Sequence, residues 1–149
     1  MSLEKELQTT FKNPFQKTRL NIHFTHNFLS NNVNEMIKQY GLSASQFNVL
    51  RILRGQHPDA ACIGLIKERM LDKSSDVSRI VDRLVVKKLV QRYECSLDRR
   101  QKDVIISQNG LDLLSKMDVC EKELDEQLQH LSTEELGTLN VLLDKVRNM

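Results

Sequence analysis

Apolar residues recur at helical spacing through most of the chain. Over residues 16–40, Val33, Met36, Ile37 and Tyr40 keep to one helix face, and Gly41 stands where a left-handed residue would stop the helix. A second helix is predicted within "LSASQFNVLRIL", with Ser43 or Ser45 as N-cap and Phe47, Leu50, Ile52 and Leu53 on its apolar side. After the turn "GQHPD" at 55–59, residues 60–71 read as a short helix, which Gly64 weakens by about 1 kcal/mol. The clearest stripe lies within 72–89: Val77, Ile80, Val81, Leu84 and Val85 stand at i, i+3, i+4, i+7 and i+8. The opposite side carries Lys73, Ser74, Ser75, Ser78, Arg79, Asp82, Arg83 and Lys87. Asp72 is the expected N-cap, and Asp72 and Asp76 both suit the positive end of a helix.

The rhythm then changes. "LVQRYEC" at 89–95 and "KDVIIS" at 102–107 read as two strands. The connection between them has no Gly and is basic, unlike a tight hairpin turn. A long helix is predicted over 108–130, with Leu111, Leu114, Met117, Leu124, Leu128 and Leu131. The last helix opens on the capping box Ser132-Thr133-Glu134-Glu135 and carries the stripe Leu136, Leu139, Leu143 and Val146. The predicted order is α-α-α-α-β-β-α-α: a mainly α fold with a small β-wing.

Length and composition narrow the class. The 149 residues are one domain's worth, and five Gly, two Pro and no Trp suit a mostly helical chain. No apolar run approaches the roughly 20 residues of a membrane span, and no signal-peptide pattern opens the chain. A cytoplasmic protein with no membrane partner is therefore expected. Cys62, Cys95 and Cys120 are odd in number, widely spaced and outside any CxxC, which argues against a disulfide framework or zinc cluster. They read as small hydrophobes or, alternatively, as redox-sensing thiols, with Cys95 beside the basic loop as the reachable one. His23 and His26 share a helix face, but no nearby ligand pattern completes a metal site. No GxSxG, HExxH, P-loop or GxGxxG motif is present, so neither an enzyme nor a cofactor is expected.

Charge changes the picture more. Residues 73–102 hold nine Lys/Arg against four Asp/Glu, a net +5, whereas residues 111–149 hold four against nine, a net −5. Such asymmetry points to one end for a polyanion and another for something else. Residues 43–107 then read as one unit. Three helices, the last with a polar, basic outer face, lead into a ribbon with a basic tip. This is the pattern of a winged helix-turn-helix that binds double-stranded DNA, flanked by helical segments 10–42 and 108–149 within a single domain 1–149. Small Ser side chains let a helix lie deep in the major groove, and Arg79 and Arg83 are long enough for base edges or phosphates. Lys73, Ser74, Ser75, Ser78, Arg79 and Arg83 are the DNA-binding candidates of that helix. Ser74 and Ser75 could instead cap it, and Arg83 could join an ion pair near Asp82. Arg92 is a candidate phosphate contact or a charge lining an effector pocket. The long first helix and the leucines of the last two exceed what one head would cover, which predicts a homodimer. A winged helix used as a protein-interaction module is the rival from another class, and the basic tip and serine-lined helix count against it.

The chain also resembles the MarR family of ligand-responsive transcriptional regulators. The likeness is carried by an ordered set: Gln46-Phe47, then Ser78-Arg79-Ile80-Val81-Asp82-Arg83-Leu84, Leu89-Val90-x-Arg92, Asp98-x-Arg100, and Ser107-x-x-Gly110. It runs from about residue 20 to residue 145. The resemblance implies homodimers whose paired recognition helices enter successive major grooves of a pseudo-palindrome, and repression relieved by a small molecule or a thiol oxidant. It implies that Asp98 holds Arg100 for the minor groove, with Arg99 and Lys102 as phosphate neighbours. An effector pocket involving His23, Asn27 and Arg92 is expected on the same ground. One position departs: Lys88 stands where the family usually has Gly, so either it adopts a left-handed conformation or the helix ends differently.

Overall fold

The computed structural model of the chain describes residues 2–94 and 102–148. Its elements are α1 (Leu3–Leu7), α2 (Pro14–Gln39), α3 (Ala44–Gln56), β1 (Ala61–Cys62), α4 (Ile63–Arg69), α5 (Val77–Val86), β2 (Val90–Glu94), β3 (Lys102–Ile106), α6 (Gln108–Glu126) and α7 (Thr133–Arg147). The fold is mainly helical with a small antiparallel sheet in the order β1-β3-β2. Two of these elements, α1 and β1, are additions to the predicted order.

Local chemistry places most helix ends. Pro14 at the first helical position and the Asn13 side chain, which accepts the Gln16 N–H at 2.9 Å, start α2. Gly41, at φ +68°, ends it. The Gly41 N–H donates to the Lys38 carbonyl and the Leu42 N–H to the Ile37 carbonyl, the paired bonds of a Schellman cap. Ser43, rather than Ser45, then caps α3. Its hydroxyl accepts the Gln46 N–H at 3.2 Å, and Gln46 Oε1 accepts the Ser43 N–H at 3.1 Å. That reciprocal pair also explains why Gln46 is buried despite being polar. Ser132 and Glu135 repeat the arrangement at α7, as predicted.

Three boundaries differ from the sequence reading. The helix expected over 60–71 divides. Ala61 and Cys62 pair with Val104 and Asp103 of β3, and only Ile63–Arg69 is helical. A two-residue strand is too short to show a period, so its signal lies in a partner more than forty residues away. The recognition helix starts at Val77, not residue 72, because Asp76 is its N-cap and accepts the Arg79 N–H at 3.2 Å. Helix α6 ends at Glu126 instead of residue 130.

Helix α5 ends in a second Schellman cap, this one built on a lysine. Lys88 takes φ +60°. Its N–H donates to the Val85 carbonyl at 2.9 Å, and the Leu89 N–H donates to the Leu84 carbonyl at 3.0 Å. The chain therefore keeps the left-handed turn that a glycine would favour. Ser107 closes the joint from the other side, its hydroxyl donating to the Lys88 carbonyl at 2.8 Å and accepting the Gly110 N–H at 3.2 Å. Gly110 has no alternative there: a Cβ would lie 2.4 Å from the Leu89 carbonyl oxygen.

The core is built from the winged-helix unit and the helices packed against it. Val49, Leu50 and Leu53 of α3, Ile66 of α4, Val81 and Leu84 of α5, Val104 of β3, and Leu114 and Met117 of α6 are all at most 1% exposed. Each such side chain contributes roughly 1.5–3 kcal/mol by leaving water. The stalk formed by α2, α6 and α7 is different. Helix α7 buries no residue at all, and α2 buries only Met36 and Ile37 near its end. Phe15, Phe28, Val119, Val141 and Leu142 are left largely exposed on α2, α6 and α7.

Candidate nucleic-acid interface

The inner stripe of α5 fixes what its outer face shows. Val77, Val81 and Leu84 are buried, so Ser78, Arg79, Asp82 and Arg83 point outward and are exposed. Arg79 and Arg83 are one helical turn apart, and among the described residues neither makes an ion pair or side-chain hydrogen bond. They form a free, doubly charged patch suited to phosphate or to the O6 and N7 of guanine.

Lys73, Ser74 and Ser75 are not on the helix, which corrects the expectation. They belong to the turn joining α4 to α5, and Asp72 organises them. One Asp72 oxygen accepts the Ser74 N–H at 2.9 Å and the Ser74 hydroxyl at 2.7 Å, and the other accepts the Ser75 hydroxyl at 3.2 Å. The Ser74 hydroxyl, then its N–H, then the Ser75 hydroxyl hold the Asp72 carboxyl below the ordinary aspartate range. Both hydroxyl protons are thus engaged, so these serines can accept from DNA but would have to leave Asp72 to donate. The Lys73 ammonium donates to the Glu68 carbonyl at the end of α4. On the protein side, Asn48 Oδ1 accepts the Leu71 N–H at 2.9 Å and ties the turn to α3.

The wing strands pair in register from Val90↔Ile106 to Glu94↔Lys102. Asp98, Arg99 and Arg100 lie outside the described residues, as does Cys95. Lys102 is described, and it borders a cleft of about 850 Å³ together with Ser78 of α5, Glu68, and Cys62 at the start of α4. Wing and recognition helix thus meet at one concave surface. The sequence reading singled out Cys95 as the reachable thiol, but Cys62 also borders this surface. It is half-buried, and its Sγ accepts the Leu65 N–H at 3.4 Å.

Arg92 is neither free nor beside the other expected pocket residues. Its guanidinium is bound to Asp82 of α5. The cleft of about 570 Å³ that it borders is lined by Val85, Lys88, Gln91, Gln108 and Asn109 among others, and contains neither His23 nor Asn27. Those two residues are exposed on α2. A better enclosed cleft of about 420 Å³ lies where α2, α3 and α6 converge. Val33, Ile37, Phe47 and Leu124 give it apolar walls, Arg51 sits over the Phe47 ring at 5.8 Å, and Leu71 opens it toward the recognition turn. Among the described residues no cluster of three metal-ligating side chains occurs, and no helix is long and apolar enough to cross a membrane.

Comparison with known proteins agrees with this geometry. Residues 40–101 match the MarR family. The chain is 29% identical over 121 residues to the HTH-type transcriptional regulator MhqR of Bacillus subtilis, covering 79% of this chain and 81% of that one. The crystal structure of a MarR transcription factor from Planctomyces limnophilus superposes with a TM-score of 0.71 at 32% identity, covering 91% of this chain and 98% of the other. A cysteine-to-serine mutant of MarR from E. coli, solved in complex with operator DNA, superposes with a TM-score of 0.76 at 26% identity over 98% and 99% of the two chains. An outward basic recognition helix, a paired wing and this likeness over nearly the whole chain lead to one conclusion: the protein belongs to the MarR family and is a DNA-binding transcriptional regulator with a winged-helix fold.

Proposed function

We propose that the protein is a homodimeric repressor that holds a pseudo-palindromic operator and is released from it by a small molecule. The observation that carries the DNA contact is the outer face of α5, where Arg79 and Arg83 stand exposed beside Ser78 and, among the described residues, unpartnered. These three would meet base edges and phosphates in the major groove. Lys73, Ser74 and Ser75 would flank the helix start, with the Ser hydroxyls as acceptors. Asp98, Arg99, Arg100 and Lys102 would form the wing contact, with Arg100 in the minor groove. Residues 43–107 would be the reading head.

The homodimer reading rests on the stalk. An α7 that buries nothing, with Leu139, Val141, Leu142 and Val146 each more than 40% exposed, needs a partner surface. Phe15 and Phe28 of α2 extend the same requirement, and a second copy would place His23 and Asn27 near that interface. The effector would enter the cleft between α2, α3 and α6. Its mostly apolar walls, with Arg51 and Asp125 both in the lining, suit a compact, largely apolar molecule. Two relatives support the reading by what was solved with them or regulates them: the E. coli protein with operator DNA, and a Bordetella bronchiseptica regulator whose DNA binding responds to 6-hydroxynicotinic acid.

The test is a titration against duplex DNA at several salt concentrations. Affinity is expected to fall steeply with salt, and Arg79→Gln and Arg83→Gln should each reduce the log–log slope by about 0.9. Binding that ignores salt, or no binding to any duplex selected from a random pool, would return the winged helix to the class of protein-interaction modules.

A further inference from the structure

Arg92 occupies an unusual place for a cation. Residues opposite one another on paired strands share a face. Arg92 pairs with Val104, and Val90 with Ile106, so Arg92 rises from the side of the sheet that carries Val90, Val104 and Ile106. Those three are 2%, 0% and 4% exposed. The side chain extends past this apolar floor to the Asp82 carboxylate on the outer side of α5. Both groups remain partly in solvent, with side-chain exposures of 38% for Arg92 and 56% for Asp82. Asp82 in turn lies between Arg79 and Arg83, the two cations the helix offers to DNA.

We infer that Asp82 and Arg92 are a positioning pair that fixes the wing strand against the recognition helix, Arg92 serving DNA binding through Asp82 and not by touching phosphate. This rests on the DNA-binding reading above. Two reasons support the pair. First, a carboxylate on the face of a helix that meets a polyanion repels it unless a cation neutralises it locally. Arg92 supplies that cation from behind, which leaves Arg79 and Arg83 uncompensated and available. Second, recognition helix and wing read different grooves, so their relative placement must be held to well under the width of a groove. Among the described residues this is the one ion pair joining α5 to the wing.

Five proteins test it: wild type, Asp82→Asn, Arg92→Gln, Arg92→Lys and the Asp82→Asn/Arg92→Gln double variant. Each is titrated with the duplex that wild type selects from a random pool, and with random duplex, at several salt concentrations. Arg92→Gln is expected to weaken the selected duplex about two- to fivefold, the range of a partly exposed pair, and random duplex less. Its salt slope stays at the wild-type value, and Arg92→Lys recovers part of the loss. The double variant is no weaker than Arg92→Gln alone, because Arg92 has nothing left to act through. A salt slope lowered by about 0.9 in Arg92→Gln makes Arg92 a direct phosphate ligand and overturns the inference. Losses that multiply in the double variant also overturn it. Should wild type bind no duplex, the regulator reading itself fails. The pair is then judged by amide exchange at Gln91 and Tyr93: faster exchange in Arg92→Gln upholds it, and unchanged protection overturns it.

Discussion

Replacing Lys88 with glycine should make the protein more stable, even though it removes a side chain and adds none. Lys88 holds φ +60° in a complete Schellman cap. An L-residue with a Cβ costs about 1–2 kcal/mol in that conformation. Glycine removes this cost but brings its own, about 0.5–1 kcal/mol of extra chain entropy lost on folding. The difference leaves a gain of about 0.5–1 kcal/mol, or about 1–4 °C in Tm for a chain of this size. Among the described residues the Lys88 ammonium makes no ion pair, so no bond is lost to offset the gain. The end of α2 offers the mirror experiment. Gly41 has φ +68° in the same motif, and a Cβ there would meet nothing within 4 Å. Gly41→Ala isolates the backbone effect and should destabilise by about 0.5–1 kcal/mol. Thermal and urea unfolding of wild type, Lys88→Gly and Gly41→Ala would be compared at one protein concentration, since dimerisation would make Tm depend on it. A Lys88→Gly protein that is neutral or less stable refutes the reasoning, and shows that the left-handed cap carries no cost at this joint.

Other sites give independent tests. Gly110→Ala would drive a methyl into the Leu89 carbonyl at 2.4 Å and should cost about 2–3 kcal/mol; a Tm within a degree of wild type would show that α6 can move away freely. Leu139→Glu with Leu142→Glu places two charges on the unburied face of α7. Sedimentation should then find a monomer with its far-ultraviolet circular dichroism retained, whereas an unchanged dimer would put the interface elsewhere. The Asp72 carboxyl is depressed by its Ser74 and Ser75 hydrogen bonds. The order it lends the recognition turn is therefore complete above the ordinary aspartate pKa and is lost as pH falls through the lower folded value. The Ser74 amide resonance should titrate with a midpoint below that of an unperturbed aspartate, and a midpoint at or above it would contradict the geometry.

How much of this was legible in the sequence depended on how far apart the deciding atoms were. The capping box at Ser132, the Gly41 stop and the apolar stripe of α5 were readable because each is settled within one or two turns of chain, whereas Ser43 and Ser45 both stayed open as the cap of α3 until the structure showed the box at Ser43. From them followed the mainly helical class, the outward Arg79 and Arg83, and the winged-helix unit. The start of α5 was misplaced because Asp72 and Asp76 are both good caps locally. What chose between them is tertiary: Met70 is buried and the Leu71 N–H is held by Asn48, so residues 71–76 must bridge two docked helices. Strand β1 was invisible for the same reason, since two residues become a strand only when β3 lies beside them.

The partner of Arg92 shows the division most clearly. By itself the sequence determined that a cation would stand on the first wing strand and a carboxylate on the recognition helix, ten residues apart. It left open whether that cation would meet phosphate or line an effector pocket, and offered no partner within the protein. The tertiary structure decided it, because the register Arg92↔Val104 turns the side chain toward α5, where Asp82 is the carboxylate it meets. Spacing along a chain fixes which face of a helix or strand a residue occupies. Only the packing of one element on another fixes what that face meets.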